Sequence, residues 1–217
     1  MSETLEKKYI YIVAVRENTG VAKLARAVLK YEYSHIALCM DESLTDFITF
    51  SRRKYNLPLD SGFMRETRNC FGDIDAPEFK AKVFKIEITE DEYSEIEDLI
   101  YEIEHDKEYM FNVLSMITMP IFKGFELYKT HNCLSFIGKI LSKVATIELD
   151  KPFYKYSIED FDTLLTEYTH FEGMIKKDDR HADGYMDKCG FLMNLRVGTK
   201  TLGTLFLRLF KKRHQAI

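Results

Sequence analysis

Three observations predict an α+β fold for this chain. Tyr9 to Val15 (YIYIVAV) is a β-branched and aromatic run, too short and too uniformly apolar for a surface helix. Ala81 to Ile88 (AKVFKIEI) alternates with the period of a half-buried strand. Thr89 to Glu104 instead places Tyr93, Ile96, Leu99, Ile100 and Ile103 at helical spacing behind Thr89 as a cap. With 217 residues, 46% hydrophobic and 30% charged, the chain is long enough for one sizeable core.

In chain order, the first strand is followed by a predicted helix over Val21 to Lys30. Thr19 is its cap, and Val21, Leu24, Ala25, Val28 and Leu29 share a face. Ser34 to Met40 (SHIALCM) reads as a second strand. Its alternation sets His35, Ala37 and Cys39 on one side, small neighbours that would let a helix approach the imidazole closely. After a turn at Asp41 to Thr45, Asp46 to Ser51 (DFITFS) is a third strand with Phe47, Thr49 and Ser51 on one face. A long loop over residues 51–79 follows, with Pro58, Gly62, Gly72 and Pro77. Its Arg52, Arg53, Lys54, Arg65 and Arg68 suit either an anionic substrate group or a solvated face.

Beyond the capped helix, Met110 to Phe122 is apolar and interrupted by Pro120, which predicts a short buried helix and a turn. A further helix begins near Asn132 and carries the stripe Phe136, Ile137, Ile140, Leu141 and Val144. A linker around Asp150 and Pro152 leads to Ser157–Tyr168, where Ser157 with Asp160 marks a helix start.

Four scattered cysteines with no CxxC pair, and an N-terminal stretch without the pattern of a signal segment, lead us to expect free thiols in a cytoplasmic protein. The charge is uneven. Residues 176–217 hold ten Lys/Arg and four Asp, a net +6, which leaves −10 on residues 1–175. We therefore expect a domain over residues 1–175 and a basic extension over 176–217. In the extension, Leu202, Leu205, Phe206, Leu209 and Phe210 share a helical face. Residues 199–213 suit either peripheral contact with an anionic membrane or docking on the acidic body. His181, Asp183, Asp187 and Cys189 match no established metal spacing, so neither metal nor cofactor is expected.

Cys133 precedes Phe136 and Ile137 by three and four positions, at the N-terminal end of a buried helical face. Two readings fit. It is a small apolar filler, as buried free cysteines commonly are, or a nucleophile whose thiolate the helix N-terminus favours. The second needs a base, and His35 is the best placed. His131, two residues away, would point elsewhere once the helix starts.

The motifs YSHIAL, a following turn and strand, and later NCLSFIGKIL resemble the circularly permuted papain-like proteins of the NlpC/p60 superfamily. These include the YiiX-like bacterial proteins and the lecithin:retinol acyltransferase-like enzymes. More closely, EYSHIALCMDESLTDFITFSRRKYNLPLDSGFMRE, NCLSFIGKIL and KPFYKYSIEDF resemble small uncharacterised proteins of low-GC Gram-positive bacteria, which typically read YSHvsLalD, ySFGRk and CSxFVaevL. The resemblance covers roughly residues 8–175.

It implies an antiparallel sheet packed against the cysteine helix, with Cys133 as nucleophile, His35 as general base and a backbone oxyanion hole at the start of that helix. For the third, orienting residue the family uses Glu or His. On the strand after the histidine only Thr49 and Ser51 are suitably placed, and Thr49 is the choice. A hydroxyl would support imidazolium less firmly than a carboxylate. Tyr33, Ser51, Asn132 and Tyr128 are expected to border the substrate site. The implied reaction is hydrolysis or acyl transfer on an amide or ester through a thioester. The implied partners are a small-molecule, peptide or lipid-like substrate and no nucleic acid. The other expectation is a weakly active or inactive member that binds such a ligand in the same cleft.

Overall fold

A computed structural model describes residues 7–17, 31–57 and 59–210. The helix expected at Val21–Lys30 lies outside the described residues, as do residues 211–213 of the tail. Six strands form one antiparallel sheet: β1 (Lys8–Val15), β2 (His35–Cys39), β3 (Phe47–Arg52), β4 (Ser61–Glu66), β5 (Glu78–Ile88) and β8 (Thr169–Lys176), in the order β4-β3-β2-β1-β5-β8. The helices are α1 (Glu90–His105), α2 (Val113–Ile117), α3 (Met119–Phe122), α4 (Cys133–Leu141), α5 (Ile158–Leu164) and α6 (Phe191–Phe210). Short strands β6 (Met110–Phe111) and β7 (Thr130–His131) pair in parallel and lead into α2 and α4. The chain is thus α+β, and no described helix is long and apolar enough to cross a membrane.

Alternation in the central strands builds two cores. Ile10, Ile12, Ile36, Leu38, Phe50 and Phe84 face α1 and α4, where they meet Ile96, Ile100, Phe136, Ile137 and Ile140. Tyr11, Val13, Ala37, Cys39 and Phe47 face the opposite side, covered by Cys70, Phe71, Phe79 and Tyr185. α1 starts with the capping box of Thr89 and Glu92. All four cysteines are free thiols.

Two sequence expectations need correction. The long loop contains β4, an edge strand pairing with β3 from Phe47↔Glu66 to Arg52↔Ser61. Its SGFMRE has low strand propensity, and the ladder to β3 together with burial of Phe63 and Met64 on opposite faces overrides that. The Met110–Phe122 segment forms α2 and α3, but Ile117, Ile121 and Phe122 are exposed rather than buried. Of the basic loop residues, Arg52 lines the same cleft as His35 and Cys133, while others form surface pairs. Arg65 bridges Asp46 and Glu104, Arg68 donates to the carbonyls of Ser43 and Leu44, and Lys54 pairs with Asp187.

Candidate functional site

β2 begins at His35, so this side chain sits at the end of a strand rather than within the sheet. The face shared by Ala37 and Cys39 is not the one α4 covers. α4 packs on Ile36, Leu38 and Phe50, while Ala37 and Cys39 lie under Phe71 and Phe79. The imidazole and the thiol meet beyond the strand end. There Asn132 caps α4, its side chain accepting from the Ser135 N–H at 2.8 Å while Ser135 Oγ accepts from the Asn132 N–H at 3.0 Å. This box fixes where the helix starts, and so fixes Cys133 at its first position. Cys133 and His35 line the same cleft, close enough for the thiol to raise the imidazole pKa.

The other side of the ring is held by Glu66, the last residue of β4. His35 Nε2 lies 2.8 Å from Glu66 Oε2, with both side chains almost wholly buried. Ser51 Oγ donates to Glu66 Oε1 at 2.7 Å, which leaves the carboxylate little freedom to turn away. With Nε2 engaged by Glu66, Nδ1 is the ring nitrogen available to the thiol. Burial opposes a charge on His35. The Glu66 carboxylate and the hydrogen bonds to Cys133 and Glu66 outweigh it, and the imidazole pKa stands well above the ordinary histidine value.

Thr49 is not the group behind the histidine. It lies two residues deeper in β3 than Ser51, is fully buried, and donates its hydroxyl to the Ile36 carbonyl at 2.9 Å. Ser51 supports Glu66, and Asn132 and Tyr33 line the same cleft as Cys133 and His35. Tyr33 donates to Glu172 at 2.7 Å. Tyr128 does not line it: its hydroxyl donates to Glu108 and its ring stacks beneath Arg208. His131 packs among Phe50, Tyr109 and Phe136, and burial, aided by Lys139, lowers its pKa to about 4, so it stays neutral.

Two residues that the sequence reading did not single out shape the site. Glu66 falls in the misread loop, and the signal was the six-residue run between the turn-forming NLPLD and the polar TRN. Glu17, just beyond β1, lines the cleft with one oxygen accepting from the Gly72 N–H at 3.2 Å and the other 3.9 Å from Arg52. Burial lifts its pKa to about 7. The Glu66 charge adds to that, while His35 and Arg52 oppose it.

The cleft encloses about 490 Å³. Glu17, Ser51, Arg52 and Glu66 belong to its polar lining, and Leu59, Phe111, Val113, Ile117, Leu134 and Ile158 to its apolar lining. Among the described residues no group of three or more His, Cys, Asp or Glu could hold a metal ion. Of the residues considered as ligands from the sequence, Asp187 pairs with Lys54, and the Cys189 thiol donates to the Asp187 carbonyl. No family model matches the chain, and neither does any curated protein or solved structure.

Proposed function

We propose that this chain is a cysteine-dependent acyl hydrolase or acyltransferase with a circularly permuted papain-like arrangement. Cys133 is the nucleophile, His35 the base that activates it, and Glu66, in place of Thr49, the positioning residue. The observation that carries this reading is an imidazole bonded to a buried carboxylate in the same cleft as a thiol at a helix N-terminus.

His35 takes the proton of the Cys133 thiol, and Glu66 stabilises the imidazolium. The thiolate attacks the carbonyl carbon of an ester or amide and pushes its electron pair onto oxygen. The capping box occupies the Ser135 N–H, so the N–H groups of Cys133 and Leu134, which have no acceptor within the helix, are the donors for that oxyanion. Collapse restores the carbonyl as a thioester and breaks the bond to the leaving oxygen or nitrogen, which departs with the His35 proton. Water or an acceptor hydroxyl or amine, deprotonated by His35, then attacks the thioester and releases Cys133. The apolar lining of the cleft suits a hydrocarbon acyl chain.

The test is acylation by a p-nitrophenyl alkanoate. We expect a burst of nitrophenol stoichiometric with protein and an acyl mass on the Cys133 peptide that hydroxylamine removes, both lost in Cys133→Ser. No adduct on Cys133, or an equal burst from Cys133→Ser, overturns the proposal.

A further inference from the structure

α6 is docked on its own chain by its polar side. The residues facing the body include Asn194, Val197, Gly198, Thr201, Leu205 and Arg208, a mostly polar or small stripe at helical spacing. Asn194 donates to the Asn56 carbonyl at 3.3 Å, and Thr201 to the Leu59 carbonyl at 3.2 Å. Arg208 donates to the carbonyls of Tyr128, Lys129 and Glu108 at 2.8, 3.0 and 2.7 Å. Gly198 lets Leu59 approach, since a Cβ there would stand 2.8 Å from the leucine Cδ1. Of the five apolar residues expected to share a face, Leu205 alone is buried. On the outward side Phe191, Leu192, Phe206, Leu207 and Phe210 are 59–79% exposed. An amphipathic helix held by its polar stripe leaves its apolar face for something outside the chain.

A second apolar surface forms a rim of the same cleft. Leu59, on which α6 rests, lines the cleft, and so do Met116, Ile117 and Met119. Beside them Ile117, Ile121 and Phe122 are 63–77% exposed. Charge selects what covers these rims. From Lys188 to Ile217 the sequence has seven Lys/Arg and no Asp or Glu, and Val113–Phe125 has Lys123 and no carboxylate, whereas residues 1–187 carry −11.

We infer that both rims dock on an anionic lipid bilayer, with the mouth of the cleft turned toward it. Apolar side chains enter the headgroup region, flanking cations meet lipid phosphates, and the acidic remainder is repelled from the surface, which orients the molecule. A second copy fits less well, because a two-fold contact would set these cations against their equivalents.

Full-length protein is sedimented with sucrose-loaded vesicles of phosphatidylcholine, alone or mixed with phosphatidylglycerol. We expect binding to the mixed vesicles, little to the neutral ones, and release by salt. Arg196→Gln with Lys200→Gln weakens binding roughly fivefold per charge. Phe191→Ser with Leu192→Ser, and Ile121→Ser with Phe122→Ser, each weaken it about tenfold or more with unchanged thermal unfolding, since these side chains are exposed. Cys133→Ser binds as the parent does, so this inference and the proposed chemistry fail separately. Protein left in the supernatant with anionic vesicles, equal binding to neutral ones, or no effect of the paired substitutions overturns it. So does light scattering that gives a dimer split by the same changes.

Discussion

Glu66→Gln keeps the shape of the group behind His35 and removes its charge. The carboxylate is 2.8 Å from Nε2, and its side chain is 4% exposed. At about 4 Å between charge centres and an effective dielectric near 20, the attraction is roughly 4 kcal/mol. The amide keeps a hydrogen bond to the ring and part of the dipolar interaction, so about 2 kcal/mol is lost. That lowers the His35 pKa. It also reduces the imidazolium–thiolate population, and with it Cys133 alkylation near pH 6, by up to about thirtyfold. Cys39 and Cys70 are buried, so iodoacetamide labelling followed by intact mass in a Cys189→Ser background reads Cys133 alone. An unchanged rate in Glu66→Gln at about pH 6 would refute the positioning role.

The same change has a stability signature. The folded pKa of His35 stands above its unfolded value near 6.5, so its stabilising contribution is complete below about pH 6.5 and disappears as pH rises through the folded value. Urea unfolding should therefore separate parent from Glu66→Gln most in mild acid, and the gap should close in alkali.

Other substitutions give sharper contrasts. Thr49→Val removes the bond to the Ile36 carbonyl and should lower stability by about 1 kcal/mol while leaving Cys133 alkylation at the parental rate; a loss matching that of Glu66→Gln would return Thr49 to the site. Glu17 is protonated more readily folded (about 7) than unfolded (4.5), so its contribution is present below about pH 4.5 and lost as pH rises through 7. Glu17→Gln cannot ionise, so the parent's stability relative to it should fall by up to about 3 kcal/mol between pH 5 and 8, and parallel pH profiles would contradict this. Gly138→Ala should destabilise by about 3 kcal/mol in denaturant melts despite alanine's better helix propensity, because its Cβ would stand 2.3 Å from the Phe153 carbonyl oxygen; a neutral result would mean the α4–Phe153 contact yields easily.

What was legible in the sequence was local. Thr89 and Glu92, Asn132 and Ser135, and Ser157 and Asp160 all close capping boxes, because a cap is decided within four residues. The pairing of His35 with Cys133 came from a resemblance, and the geometric reason first attached to it was incorrect. Alternation correctly put His35 on the side of Ala37 and Cys39, but the helix covers the other side. The two share one cleft because His35 begins its strand and Cys133 its helix. Glu66 was hidden for a related reason: β4 is held by its ladder to β3, and nothing within SGFMRE announces that ladder.

Apolar runs are read first as parts of the chain's own core, the usual fate of an amphipathic face, which fails for α2–α3 and for α6 leaves the chain's own body and an external surface both open. The surface that covers such a face is not written in periodicity. It can be written in the residues that are missing. A helix packing on an acidic body gains from cations along its contact stripe, and α6 has only Arg208 there, bonded to carbonyls rather than carboxylates. Its Arg196 and Lys200 lie on exposed positions, away from that stripe. Attraction to the chain's own −11 body therefore does not explain where these two cations sit, whereas an external anionic surface does. Reversing both charges (Arg196→Glu with Lys200→Glu) should leave the melting temperature of the free protein within about a degree of the parent. A marked fall would show that α6 is held electrostatically to its own chain.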